Sequence, residues 1–307
     1  MSLSRWSLML SLLWSLCIPR AAHACACGCG VFEVGTSAMF PTHEGGMAFL
    51  EYDYLNQGRN WRGDSPASAD ENEDKRLVSN FFTAGAQYQF NRRWGVMGEI
   101  PVTYRRFKTS ETDSGDVETF DHTAVGDIRI KGMYTGLSDD LSSGLTFGLR
   151  LPTGSATHPH FDPDVQIGSG STDLLLGGYH LMPLTTDQHW DAFMSAEADV
   201  PVLHEAGYTP GTEINAAGGV YYNHWWIGPV KIAPLAQVIG SRRWSDAGSH
   251  ADAPNTGYDR VLVAPGIEFD MAHVRVYTDV GFPVYQHTTG DQVVASQYFK
   301  FNVSVPF

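Results

Sequence analysis

The fold class predicted for this chain of 307 residues is all-β, a transmembrane antiparallel up-and-down β-barrel of about twelve strands. Three observations predict it. From Gly46 onward, segments of roughly ten residues alternate apolar and polar side chains between turn-forming clusters. The connections between these segments are alternately long and short. No apolar run after the N-terminus approaches the ~20 residues of a spanning helix, and the mean hydropathy of -0.19 is too polar for a helical membrane protein. A barrel accommodates that value because half of each of its strands is polar.

The N-terminal residues are read first as a targeting segment. Arg5, the apolar stretch Trp6 to Ile18 and the small-residue site Ala22-His23-Ala24 make residues 1–24 a secretory signal peptide. Cys25 then opens the mature chain. Residues 25–45 show no sustained alternation and form a periplasmic, cysteine-rich leader ahead of a barrel over 46–307.

The strands follow in order. The first, 46–57, sets Ala48, Leu50, Tyr52 and Tyr54 against Glu51 and Asp53. Next come 78–90, with Phe82, Ala84, Ala86, Tyr88 and Phe90 on one face, and 94–107, with Val96, Ile100, Val102 and Tyr104 opposite Glu99 and Arg105. The fourth, 123–136, turns Asp127, Arg129 and Lys131 away from Ile128, Ile130 and Tyr134. In 143–152, Leu145, Phe147, Leu149 and Leu151 oppose Arg150. The sixth, 167–183, is glycine-rich and ambiguous in phase. In 190–202, Glu197 and Asp199 oppose Met194, Ala196, Ala198 and Val200. Then follow 212–225, 230–243, 258–269, 273–286 and the last strand, 297–307. There Phe299, Phe301, Val303, Val305 and Phe307 share one face, and Tyr298, Lys300, Asn302, Ser304 and Pro306 share the other.

Connections after the odd strands are long (58–77, 108–122, 153–166, 203–211, 244–257 and 287–295). Those after the even strands are short, such as Asn91-Arg92-Arg93 and Leu137-Ser138-Asp139-Asp140. Short periplasmic turns alternating with longer external loops are the pattern of bacterial barrels, and the parity puts both termini on the periplasmic side of an outer membrane. The terminal Phe307 also resembles the end signal that outer-membrane proteins present to their assembly machinery.

Three stretches carry a family resemblance: Gly126-Asp127-Ile128-Arg129-Ile130-Lys131-Gly132-Met133-Tyr134, Leu149-Arg150-Leu151-Pro152-Thr153-Gly154, and Ile167-Gly168-Ser169-Gly170-Ser171-Thr172-Asp173. Their order and spacing resemble the outer-membrane barrels described as "putative MetA-pathway of phenol degradation" or simply "transporter". The resemblance implies a barrel for passage of small solutes, hydrophobic or aromatic ones among them. Physically, Gly-Asp permits a tight bend with an inward carboxylate, and Pro-Thr-Gly marks the exit from a strand into a loop. The Gly-x-Gly-Ser run has no following helix and no Lys to make a phosphate cradle.

The polar faces nominate the lumen lining: Glu51, Glu99, Arg105, Asp127, Arg129, Lys131, Arg150, Asp173, Glu197, Asp199, Arg260, Arg275, Asp279 and Lys300. Charges in a lumen select permeating solutes, or pair with one another and hold a narrow barrel shut. A second candidate is Cys25-Ala26-Cys27-Gly28-Cys29-Gly30. Three thiols in five residues suit a soft metal such as Cu or Zn. The spacing is not the C-x-x-C of zinc or haem sites, no fourth ligand is evident beyond His43, and a local disulfide, free thiols or lipidation of Cys25 compete. The histidines and aspartates of Thr157-His158-Pro159-His160-Phe161-Asp162-Pro163-Asp164 are read as an external loop stiffened by proline, with metal capture as the alternative.

The totals restrict function further. With 34 acidic and 20 basic residues, a formal net charge of -14 and no basic run, nucleic acid is not an expected partner. No nucleophile and base fall together, so no enzyme is expected. The expected partners are outer-membrane lipid, the assembly machinery acting on the last strand, and a small-molecule solute. Two alternatives stand beside the channel: a metal-handling or redox-linked barrel that uses the cysteine leader, and a sealed structural barrel.

Overall fold

The computed structural model describes residues 40–307 apart from 42, 111, 113 and 114. The signal peptide and the three leader cysteines lie outside the described residues. The strands are β1 (Gly45–Gly63), β2 (Ser65–Pro66), β3 (Asp74–Asn91), β4 (Trp94–Thr109), β5 (Glu118–Val125), β6 (Ile128–Tyr134) and β7 (Ser143–Leu151). They continue as β8 (Ser171–Pro183), β9 (Trp190–His204), β10 (Glu213–Tyr222), β11 (Trp225–Ile227), β12 (Val230–Arg243), β13 (Tyr258–Met271) and β14 (Val274–Pro306).

Every pairing is antiparallel, and the sheet closes on itself through β10–β12 and β14–β1. Among the described residues the wall has twelve staves. β5 and β6 pair in turn with β4 and form one stave broken at Gly126 and Asp127. β14, 33 residues long, runs beside β13 as far as Thr288 and beside β1 from Asp291, so it supplies two staves. The fold between them is made at Gly290, whose φ of 67° is a left-handed conformation that glycine adopts without strain. β2 and β11 are short extensions of β1 and β12. At the seam, Gly46 N donates to Phe307 O at 2.9 Å and Phe307 N to Gly46 O at 2.8 Å. We call the end holding Gly45 and Phe307 the near end and the opposite one the far end.

The burial pattern is inverted relative to a soluble sandwich. Leu50, Phe82, Ile100, Ile130, Met194, Val238 and Phe282 stand exposed on the outside, Leu50 at 65%. Asp53, Thr103, Lys131, Asp173, Lys300 and Asn302 are buried inside. Apolar outside and polar inside is what hydrocarbon around a barrel requires. The last strand keeps its expected phase, with Phe301, Val305 and Phe307 outward and Tyr298, Lys300, Asn302 and Ser304 inward.

Three expectations need correction. The segment 287–295 is no long loop; the ladder runs almost through it and turns at Gly290. Strands also reach into the expected loops 58–77 and 108–122, since β1 extends to Gly63, β3 starts at Asp74, β4 ends at Thr109 and β5 starts at Glu118. The polar side chains there suggested loops, but above a hydrocarbon band strand residues are free to be polar on both faces. Residues 167–170 belong to a loop and not to the sixth strand.

Gly85 on β3 lies under the Phe49 ring of β1, in the position a Cβ would occupy. Gly85→Ala is therefore expected to destabilise the refolded barrel by about 1–3 kcal/mol in urea titrations read by electrophoretic mobility. Gly98→Ala, which meets open space, should leave the midpoint unchanged.

Candidate functional site: the barrel interior

The break in the wall at Gly126 and Asp127 organises the far end. Val125 is the last residue of β5 in register with β4, opposite Val102, and Gly126 N still donates to Pro101 O of β4 at 2.8 Å. The Asp127 carboxylate then accepts hydrogen bonds from Gly154 N (2.9 Å), Ser169 N (2.8 Å) and Ser169 Oγ (2.6 Å). Thr153 Oγ1 donates to Gly126 O at 3.0 Å and accepts from Ile128 N at 2.9 Å. The three motif stretches of the sequence thus meet around one carboxylate. Charge-assisted bonds of this kind are among the strong ones.

What Asp127 anchors is the connection 152–170 between β7 and β8, which folds into the barrel. Phe161 and Val165 are buried with Leu77 of β3, Phe107 of β4 and Val293 of β14. Arg105, buried on β4, donates from Nη1 to the carbonyls of Val165 (2.5 Å) and Gln166 (2.7 Å). The Gln166 amide in turn bridges His158 and Phe161. A cavity of about 120 Å³ remains beneath the loop, lined among others by Phe81, Arg129, Arg150, Ile167 and Tyr208. The segment 157–164 is a loop, with Thr157, Pro159, His160 and Pro163 exposed, but it does not stand clear of the barrel. The aromatic Phe161 and the apolar Val165 carry the segment inward, because only the interior offers them apolar partners.

The same loop places His158 flat against His122 of β5, with centroids 3.7 Å apart and ring planes within 8°. His160 stacks on Phe120 at 4.4 Å. His122 Nε2 is buried with no hydrogen-bond partner.

The nominated charges are buried or half-buried, and many of them pair with one another. Lys131 Nζ meets Glu197 at 2.8 Å and Glu99 at 4.0 Å, and Arg129 approaches Glu99 at 3.9 Å. Arg150 bridges Asp173 and, at 2.8 Å, Asp199. Lys300 bridges Glu51 at 2.8 Å and Asp53 at 3.5 Å. Arg275 lies between Glu268 and Asp270. Asp279 accepts from Tyr277 and from Gln237 at 2.8 Å. Arg260 sits between the rings of Tyr258 and Tyr298, at 4.6 and 4.7 Å from their centroids.

A second population of inward residues is apolar. Leu55, Phe193, Ala217, Ile239, Leu262, Ala264, Ala295 and Tyr298 form one buried cluster, with Phe40, Phe81, Leu181 and Tyr221 against it. These belong to β1, β3, β8, β9, β10, β12, β13 and β14. The charge network of Glu99, Arg129, Lys131, Arg150 and Asp173 occupies β4, β6, β7 and β8. An apolar arc thus lines the interior, and charges share its staves: Asp53 on β1, Glu197 and Asp199 on β9, and Asp279 and Lys300 on β14. The nominated lumen set omitted the apolar arc, although the parity that points Glu197 and Asp199 inward also points Phe193 inward.

At the near end, Phe40 stacks on Tyr179 inside the barrel at 4.4 Å. Beside it a cavity of about 60 Å³ is lined by Pro41, His43, Met47, Asp270, His273 and Arg275 among others. Among the described residues no three His, Cys, Asp or Glu side chains gather as a metal site.

A closed barrel with an apolar outside, a charged interior and aromatic residues such as Trp94, Trp190, Trp225 and Phe307 exposed toward one rim has the architecture of a membrane-spanning β-barrel. No family model matches the chain, and no curated protein matches it. Among solved structures, its fold is similar to the COG4313 outer membrane channel from Pseudomonas putida F1, with a TM-score of 0.67 and 14% identity, covering 90% of this chain and 100% of that one. It is also similar to the beta domain of the Bordetella autotransporter BrkA, with a TM-score of 0.54 and 12% identity, covering 86% of this chain and 100% of that one.

One outcome follows from the geometry. Lys131→Met removes the ammonium that Glu197 meets at 2.8 Å and should cost about 3–5 kcal/mol in unfolding titrations, while Lys131→Met with Glu197→Gln should recover part of it.

Proposed function

We propose that the protein is an outer-membrane channel for small uncharged solutes, apolar or aromatic, with Gly45 and Phe307 on the periplasmic side. The observation that carries this reading is the apolar arc of Leu55, Phe81, Phe193, Tyr221, Ile239 and Leu262 inside the barrel. A water-filled porin has no use for such a surface, whereas an apolar solute gains from it. The charges beside it are paired within the wall, so a lone ion meets desolvation without a compensating field. The loop 152–170 occupies the far end, and passage requires it to move.

The fold alone favours no cargo, since one similar structure is named a channel and the other an autotransporter domain. The solute class is supported by the lining and by the resemblance of the three motifs. The orientation is supported by the connections: 92–93 and 272–273 at the near end are short, and 152–170 and 244–257 at the far end are long. In this orientation Phe307 and the last stave are the segment that engages the assembly machinery.

A second reading keeps the soft-metal role of Cys25, Cys27 and Cys29. It is favoured by His43 of the leader, which lines the near-end cavity together with Met47 and His273, residue types that suit Cu or Zn. Replacing the three cysteines with Ser should abolish Cu(I) uptake by the mature protein if it holds, and leave it unchanged if it fails.

For the leading reading, proteoliposomes are expected to admit toluene faster than protein-free vesicles while excluding glucose. Phe193→Asp should lower aromatic flux roughly tenfold by placing an unpaired charge in the arc. Equal flux in the variant, or faster entry of glucose than of toluene, would contradict the proposal.

A further inference from the structure

The outer surface carries a basic patch that the interior does not explain. Arg76 of β3 and Lys108 of β4 are direct cross-strand partners, and Arg106 lies opposite Val78, one step diagonally from Arg76. Residues so placed share a face, with side chains within reach of one another. All three are exposed on the outside. Arg76 Nε donates to Asn56 Oδ1 of β1 at 2.9 Å, which draws it over the neighbouring stave. Arg59 of β1 adds a fourth exposed cation, 5.4 Å from the Trp61 ring centroid. One carboxylate enters the patch: Asp121 of β5 pairs with Arg106 at 2.8 Å and accepts from Tyr104. Arg59, Arg76 and Lys108 are in no ion pair among the described residues.

The position of this patch is specific. On the same three staves, moving toward the near end, the outward residues become Tyr54, Tyr52 and Leu50 on β1, Phe82 on β3, and Val102 and Ile100 on β4. Phe82, Val102, Ile100 and Leu50 are all exposed. Cations therefore sit just above an apolar wall, at the height where hydrocarbon gives way to head groups. This occurs on a chain whose formal net charge is -14, so bulk charge does not account for it.

We propose that this face binds a phosphorylated, multiply acylated glycolipid of the outer leaflet. Arg76, Arg106 and Lys108 take its phosphates, and Phe82, Ile100 and Val102 take its acyl chains. Guanidinium groups match phosphate oxygens bidentately, and a basic cluster at the edge of the hydrocarbon gains from each anionic head group it meets. The choice of leaflet rests on the orientation proposed above, which places the far end outside.

The experiment uses the whole mature protein purified in detergent, with bisphosphorylated lipid A as the probe and native mass spectrometry as the readout. Wild-type protein should retain lipid A, and R76Q/R106Q/K108Q should bind it roughly a hundredfold more weakly. R92Q/R93Q, at the opposite end, should bind it as wild type does. Because the three side chains are exposed, heat-modifiable migration should show the triple variant folded, and a matched double variant, R76Q/K108Q, guards against loss of the Arg106–Asp121 pair. Equal binding by both folded variants, or equal binding of dephosphorylated lipid A, overturns the proposal. Orientation is tested separately with an epitope inserted at Asp70 and antibody added to intact cells. Accessible epitope with failed lipid binding sinks only the lipid proposal; inaccessible epitope sinks the orientation and the leaflet assignment with it.

Discussion

A strand that crosses hydrocarbon finds no water for its amides, so each must be paired to a neighbour, and the row of neighbours must close. That constraint sets most of what is seen here. Closure joins Gly46 to Phe307 and brings the first stave against the last. Once the wall is closed, alternate residues face lipid or the interior. Polar side chains that a soluble protein would show to solvent are gathered inside. Gathered there, the charges must find one another, since an unpaired buried charge costs several kcal/mol. The pairs of Lys131 with Glu197, Arg150 with Asp173 and Asp199, and Lys300 with Glu51 are the result.

The break where β5 gives way to β6 is also where a loop enters. Between Val125 and Ile128 the backbone leaves its register, and Asp127 spends its carboxylate on Gly154 and Ser169 instead. The loop so held buries Phe161 and Val165 against the opposite staves and satisfies its carbonyls with Arg105. A carboxylate, an arginine and two aromatic stacks replace the sheet hydrogen bonds that the break gives up.

Much of this was legible before any coordinates. Alternation identified the outward and inward faces of the last strand residue by residue, because a period of two leaves one choice once a single charge is placed. The alternating segments themselves count about twelve strands. The inward carboxylate of Asp127 and the strand exit at Pro152-Thr153-Gly154 were also readable from local turn chemistry. Three things were not. The apolar arc was hidden because β13 is apolar on both faces, Leu262 and Ala264 inside and Val261 and Val263 outside, so no contrast marks its phase. The inward path of 152–170 depends on tertiary partners on β3, β4 and β14 that no local pattern announces. The stack of His122 on His158 joins residues whose proximity only the folded loop creates.

Together the apolar arc, the paired charges and the inward loop support the proposal of a barrel that is closed at rest and opened by movement of one segment held at Asp127. Single-channel recording in planar bilayers tests that claim most directly, comparing the mature wild-type protein with Asp127→Ala. The account predicts little or no steady conductance from wild type and long-lived open events from the variant, which keeps its wall but loses the anchor. Steady conductance from wild type, unchanged by the substitution, would contradict it.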